Sequence, residues 1–320
     1  MHIGVFTALF QNLPLEEALD KVVTAGVSAV EIGSGGYPGS QHCPVDELLE
    51  SADQRDAYLE KFHSRGLILS ALSCHYEPLH PDQAIARESD EVFRKSVQLA
   101  ELLEVPVVNV LSGCPAGAPG DSMPNWVTCP WPTHFTEMLD YQWNEVGIPY
   151  WQVAAEFAED HGVKIGMEMH PGMLVYNVET MLRMRDVAGP ALGCNFDPSH
   201  LWWNGVDPVA AIRALGEAIV HVHGKDVSID PFNVMVNGVN DHKPYGEVRD
   251  RSWTFRSIGY GHSAKTWKDI VSALRLVGYD YVVSIEHEDA LMSTDEGLRK
   301  GVAVLKEAVT FETPGEMFWA

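Results

Sequence analysis

Short apolar runs and amphipathic stretches alternate along the whole chain. The runs Ile3–Phe6, Ala29–Ile32, Ile68–Ser73, Val107–Leu111, Ile165–Met169, Leu192–Phe196, Ile219–His223 and Tyr281–Glu286 read as strands. Between them, apolar residues recur at helical spacing. Leu15–Ala25 sets the pattern, with Leu15, Ala18, Leu19, Val22 and Val23 on one face. The same spacing predicts helices over Val45–Ser64, Asp90–Leu103, Tyr150–His161, Val178–Val187, Pro208–Ala214, Ala264–Val277 and Glu296–Ala308. Gly26, Gly66, Gly162 and Gly278 fall where such helices would end.

Eight strands, each with a helix, give the count of a (β/α)8 TIM barrel, and 320 residues suit that fold. A doubly wound open sheet is the runner-up. No shift in composition divides the chain, so residues 1–320 are expected to form one barrel domain. Long insertions follow strands 4 and 7. The first, Ser112–Gly147, is rich in Pro, Trp and Gly; the second, Lys225–His262, carries Arg251, Trp253 and Arg256. Both follow a strand, which puts them on the C-terminal face of a barrel, where long loops build a pocket or its lid. An oligomer contact is the other reading, and the two roles can coexist. The tail FETPGEMFWA is expected to dock on the barrel or on a second subunit.

Composition narrows the function classes. An apolar fraction of 46% supports a large core. No run approaches the roughly 18 apolar residues of a membrane helix, and the start MHIGVFTALF lacks the basic region and cleavage site of a signal peptide. With 22 basic against 45 acidic residues the net charge is −23, which repels phosphate backbones and argues against nucleic acid. Cys43, Cys74, Cys114, Cys129 and Cys194 are odd in number and form no CxxC pair, as expected of idle thiols in a reducing cytoplasm.

Chemistry concentrates in four strand-like runs: KIGMEMH (Lys164–His170), GCNFDPSH (Gly193–His200), IVHVHGKD (Ile219–Asp226) and VVSIEHED (Val282–Asp289). Side chains alternate across a strand. Gly166, Glu168 and His170 therefore share one face, Asn195 and Asp197 another, then His221 and His223, then Ser284 and Glu286. An inward carboxylate on a buried strand is costly unless paired or metal-bound. His223 lies nearer the strand's C-terminal end than His221 and is the better ligand. The converging set is Glu168, Asp197, His223 and Glu286. Its three carboxylates and one imidazole suit Mn²⁺ best, with Mg²⁺ or Co²⁺ as alternatives, and no thiolate takes part. Such an ion can grip two oxygens of a polyol or hydroxyketone while a base takes a proton from the neighbouring carbon. Glu168, Glu286 and His170 are the candidate bases, although His170 reads equally well as an ordinary hydrogen-bonded histidine. Lys225 and Asp226 could reach substrate oxygens, whereas Glu288 and Asp289 read as solvated or capping residues.

The Glu of EMH, the FDPSH turn, the HGKD segment and SIEHED together resemble the sugar isomerase/epimerase superfamily with the xylose-isomerase-like barrel, and the likeness runs from MHIGVF to SIEHED. It implies metal ligation by Glu168, Asp197, His223 and Glu286, an acid/base pair of Glu168 and Glu286, and a substrate-binding role for His200. The chain departs from the ketose 3-epimerase pattern at Leu174, where a second Glu is expected, and at Ile229, where an Arg is expected. Lys225 and Arg256 are then the basic groups left to bind substrate. The expected function is that of a cytoplasmic, metal-dependent isomerase or epimerase, moving a proton beside a metal-bound carbonyl or enediolate. A lyase, hydratase or deglycosidase acting on 3-keto-glycosides by β-elimination is the first alternative. A non-catalytic sugar-binding or partner subunit is the second. A homo-oligomer is expected, with a small second subunit as a further possibility.

Overall fold

The computed structural model of the protein describes residues 1–312 and 315–319. Eight parallel strands close into a barrel: β1 (His2–Phe6), β2 (Ala29–Gly33), β3 (Ile68–Ser73), β4 (Val107–Leu111), β5 (Lys164–Glu168), β6 (Leu192–Phe196), β7 (Ile219–Gly224) and β10 (Val282–Ile285). They follow one another in chain order around the ring, and β1 pairs with β10 to shut it. Each strand is covered on both faces, which is why it reads as an unbroken apolar run. Met167 and Met169 pack outward under helices, and Glu168 points inward. Residues 313, 314 and 320 of the aromatic tail lie outside the described residues; Phe318 and Trp319 are exposed rather than docked on the barrel.

Local chemistry sets the helix boundaries. Leu15–Ala25 buries Leu15, Ala18, Leu19 and Val22 and stops at Gly26, whose φ of 72° favours glycine. The stretch expected as one helix over Val45–Ser64 breaks into Val45–Glu50 and Ala52–His63. Ser51 is extended between them, and its hydroxyl caps the Gln54 N–H. The helix expected from Asp90 begins earlier, at Gln83, because Asp82 caps the Ala84 N–H.

The two insertions are folded rather than loose. In the first, helix His134–Asp140 runs through a wide π-helical turn, Tyr141–Gly147, into helix Ile148–Asp160. Buried Gln142 donates to the carbonyls of Pro115, Ala116 and Asn125, which stitches the insertion to itself. The second insertion contains an antiparallel hairpin, β8 (Asp226–Ile229) with β9 (Trp253–Arg256), and the helix Pro231–Asn237. All five cysteines are free, and only Cys129 is exposed.

Close strand packing predicts a local sensitivity. A Cβ on Gly193 would stand 2.5 Å from Val220 Cγ1 on β7 and 2.7 Å from the carbonyl oxygen of Ala218, the residue before that strand. Backbone cannot yield cheaply there. Gly193→Ala is expected to cost about 1–3 kcal/mol, read as a lower urea midpoint at unchanged slope; an unchanged midpoint would show that β6 and β7 can separate freely.

Candidate metal centre and active site

The strand ends bring Glu168, Asp197, His223 and Glu286 together, with one ligand atom from each lying within 4.8 Å of all the others. Glu168 is the last residue of β5 and pairs in register with Leu111 and Asn195. Asp197 follows β6, and its Oδ1 accepts the Ser199 N–H at 2.7 Å, a turn that starts the short helix Ser199–Trp202. His223 lies in β7 opposite Ser284. Glu286 sits one residue past β10, where its N–H donates to the Gly224 carbonyl.

Distances within the cluster are short enough for its members to share one ion. His223 Nδ1 is 3.1 Å from Glu168 Oε2 and 3.0 Å from Glu286 Oε2. Yet Glu286 Oε2 and Asp197 Oδ2 are buried without a hydrogen-bond partner. Atoms about 2.1 Å from a common ion and at right angles to each other stand about 3 Å apart. Two orphaned carboxylate oxygens beside an imidazole nitrogen therefore fit a divalent cation, and the hard oxygen-rich donor set suits Mn²⁺, Mg²⁺, Co²⁺ or Zn²⁺.

Charge is balanced locally. Lys225 is buried, with its ammonium 2.6 Å from Glu288 Oε2 and 3.2 Å from Glu286 Oε1. Burial alone would lower its pKa, but Glu286 and Glu288 hold it well above the ordinary lysine range. His223 is likewise held above the usual histidine range against burial, chiefly by Glu31 and then by Glu168 and Glu286. Burial pushes the Asp197 carboxyl up to about 6, against the pull of His200 and Lys225. Burial would also raise Glu286, but Lys225 and His223 bring it down to about 2. One acid of the crowded trio thus gives up its charge most readily, as expected of like charges sharing a site.

The cluster opens into a cavity of about 390 Å³ walled by Phe6, Leu9, Leu111 and Met173, with His75, His170 and Tyr37 at its sides. A wider cavity of about 860 Å³ lies between the loop after β3 and the first insertion, and it contains none of the clustered residues. A small chamber of about 290 Å³, lined by Tyr245, Thr254, Phe255 and Ala290, shares His170 and Glu288 with the cluster's cavity. The first insertion thus lines the wider cavity and not that of the cluster, while the hairpin of the second walls the small chamber beside it.

The remaining expected site residues take different places. His170 lines the cavity, and its Nδ1 lies 2.7 Å from the Pro171 carbonyl. A carbonyl only accepts, so Nδ1 carries the hydrogen and Nε2 is a bare acceptor. Burial holds His170 down to about 3, hence neutral. His200 is fully buried behind the acids, 3.1 Å from Glu168 Oε1 and 3.4 Å from Asp197 Oδ2, and is not among the residues lining the cavity. Arg256 is turned aside: its Nε donates to both Asp289 oxygens at 3.2 Å, and its guanidinium lies near the Tyr260 ring. Asp289, expected as solvated or capping, is buried; it accepts the Ser257 N–H and, two residues on, the Leu291 N–H. Glu288, expected as solvated or capping, is exposed, and its Oε2 also pairs with Lys225. Asp226, considered for substrate oxygens, is wholly engaged by the loop that closes the second insertion.

The strand pattern passes over Glu31 and His75. Glu31 is fully buried on β2, in the run AVEIG, which carries the same signal as KIGME: an acid inside an apolar strand. His75 follows β3 and places Nε2 at 3.2 Å from Glu168 Oε2.

Comparison with known proteins places this chain in a wider group. Protein YfiH of Bacillus subtilis is 39% identical over 313 residues, covering 97% of this chain and 100% of that protein. Inosose dehydratase of Lactiplantibacillus plantarum is 24% identical over 216 residues, 67% of this chain and 63% of that one. A solved structure of IolI protein with a binding zinc atom shares the fold, with a TM-score of 0.66 at 17% identity over 97% of this chain and 98% of that one. Residues 19–308 match the model of the xylose isomerase-like TIM barrel, and the chain belongs to that family.

Proposed function

We propose that the protein is a divalent-cation-dependent carbohydrate isomerase or epimerase, with Glu168, Asp197, His223 and Glu286 holding the ion. The observation that carries this reading is the pair of orphaned buried oxygens, Asp197 Oδ2 and Glu286 Oε2, facing His223 and Glu168 at one point. Mn²⁺ is the preferred ion. When bound, such an ion supplies Lewis acidity to two oxygens of a polyol or hydroxyketone.

The chain's own residues do the rest. A cavity of about 390 Å³ suits a monosaccharide-sized ligand, with apolar residues along part of its wall. Lys225 grips Glu286 Oε1, which leaves Oε2 turned toward the shared point. Asn195 Nδ2 donates to Glu168 Oε2 at 3.2 Å and fixes that carboxylate. Glu168 and Glu286 are the proposed proton carriers on the substrate carbons. His170, neutral with Nε2 bare, is the third group able to accept a proton at the cavity wall. Lys225 also borders the cavity and would contact substrate oxygens, with His200 acting from behind Glu168.

Similarity to inosose dehydratase favours a second reading, β-elimination from a keto-sugar or keto-polyol. There Glu168 or Glu286 would take the proton from carbon and pass it to the departing oxygen, which leaves as water or alcohol, while His170, with Nε2 bare, could only accept a hydrogen bond at the cavity wall. One incubation separates the two. Protein loaded with Mn²⁺ is mixed in D₂O with a panel of ketoses and 3-keto-glycosides. Deuterium entering a carbon of an intact skeleton, by NMR, is the expected result. Loss of water or aglycone would replace it with the lyase reading, and no turnover of the panel with any divalent ion would remove both.

A further inference from the structure

The acid cluster leaves one buried carboxylate without an assignment. Glu31 belongs to β2 and His223 to β7, which are not neighbours in the barrel. The Glu31 side chain therefore crosses the barrel interior. It is fully buried and does not line the cavity, so it cannot meet substrate there. Its two oxygens lie 3.0 and 3.1 Å from His223 Nε2; a carboxylate only accepts, so this contact puts the hydrogen on Nε2, and Asn195 Nδ2, 3.1 Å from the same nitrogen, is left to donate to Glu168. Ser73 Oγ donates to Oε1 at 2.5 Å and Asn109 Nδ2 at 2.9 Å, which fixes the carboxylate in turn. His221 Nε2 stands farther away, 4.0 Å from Oε2. The opposite ring nitrogen of His223, Nδ1, faces Glu168 and Glu286. The imidazole is thus clamped, one nitrogen on Glu31 and the other on the shared point.

We propose that Glu31 is a positioning residue for the cation site: it accepts the Nε2 hydrogen of His223, fixes the ring angle and aims the Nδ1 lone pair at the point shared with Glu168, Asp197 and Glu286. The inference rests on the reading of that point as a metal centre. Its physical basis is general. A ligating histidine whose far N–H meets a carboxylate is held in one tautomer and made more basic, and removing that partner costs about 10–100-fold in metal affinity. Burying a carboxylate is otherwise unfavourable, and this one has no lysine or arginine beside it among the described residues.

The test uses the full chain stripped of metal and titrated with Mn²⁺, with Co²⁺ as a visible probe. Wild type is expected to take one ion per chain. Glu31→Gln keeps an acceptor oxygen but loses the charge, so its Mn²⁺ Kd should rise about 10–100-fold, with one ion still bound and the Co²⁺ absorption bands shifted. Ser73→Ala removes one of the bonds that fix the Glu31 carboxylate but keeps its charge and its contact with His223, so its Mn²⁺ Kd should rise by less than that of Glu31→Gln. Unchanged affinity and bands in Glu31→Gln would overturn the inference and leave the metal centre standing. Two ions in wild type falling to one in Glu31→Gln would make Glu31 a ligand itself and also overturn it. No ion in wild type would overturn the metal centre together with this inference. A readout on wild type alone keeps the idea exposed if Glu31→Gln fails to fold. With ¹⁵N-histidine and Zn²⁺ bound, His223 should keep its hydrogen on Nε2; a bare Nε2 refutes the assignment.

Discussion

Glu168→Gln is expected to lower turnover by about a thousandfold, in the middle of the range for removing a positioned acid or base, and to strip the site of metal. Glu168 is the hub of the cluster. Its Oε2 receives Asn195 and lies 3.1 Å from His223 Nδ1, and its Oε1 lies 3.1 Å from His200. Replacing one oxygen by an NH₂ group removes a charge and points a donor at the ion. The loss of affinity should exceed the about 10–100-fold typical of changing a ligand's hydrogen-bond partner. Gln keeps the length and one carbonyl oxygen, so circular dichroism should remain that of the folded barrel. Metal content by elemental analysis needs no substrate, and deuterium exchange on the ketose panel follows the chemistry. A variant that holds one ion per chain and exchanges at the wild-type rate would remove Glu168 from both roles.

The fold and the acid cluster were legible for the same reason. Parallel barrel strands are covered on both faces, so an ionisable side chain inside one stands out against apolar neighbours. Glu168, Asp197, His223 and Glu286 are visible because each ends such a run. Glu31 carries the same mark in AVEIG, but no His or Asp follows it, and a single acid on one strand names no partner. His75 lies beyond its strand, where alternation gives no direction. The Arg256–Asp289 pair was hidden differently. Its members are 33 residues apart, and only the fold of the second insertion brings them together. Arg256 therefore offers its charge to a buried acid instead of to the cavity. The helix starts at Gln83 and Ala52 depended on single caps, Asp82 and Ser51, which polar sequence around them obscured.

Asp226 shows how the second insertion is anchored, and its removal should be among the costliest single changes to stability. It follows Lys225, yet its carboxylate faces away from the acid cluster. Oδ2 accepts the N–H groups of Gly259, Gly261 and His262 at 2.9, 3.2 and 3.0 Å, and Oδ1 accepts Val227 N–H at 2.9 Å. His262 Nδ1 adds a contact at 2.8 Å and Trp267 Nε1 one at 3.4 Å. The carboxylate thus ties the first strand of the hairpin to the segment that leaves the insertion. Asp226→Ala would leave several donors unpaired in a place where Asp226 itself is fully buried. Removing one member of a buried charged network costs about 3–5 kcal/mol. Asp226→Asn should cost less, because an amide oxygen can keep the three N–H groups at the Oδ2 position, while its NH₂ loses only the Val227 N–H and the His262 contact at the Oδ1 position. The expected order of urea midpoints is wild type, then Asn, then Ala. Limited proteolysis should open the insertion near residues 238–250 in the Ala variant first. Metal affinity should change less than in Glu168→Gln, since no cluster ligand is touched. Equal midpoints for wild type and Asp226→Ala would mean that water replaces the carboxylate without cost, and the anchor would lie elsewhere in the loop.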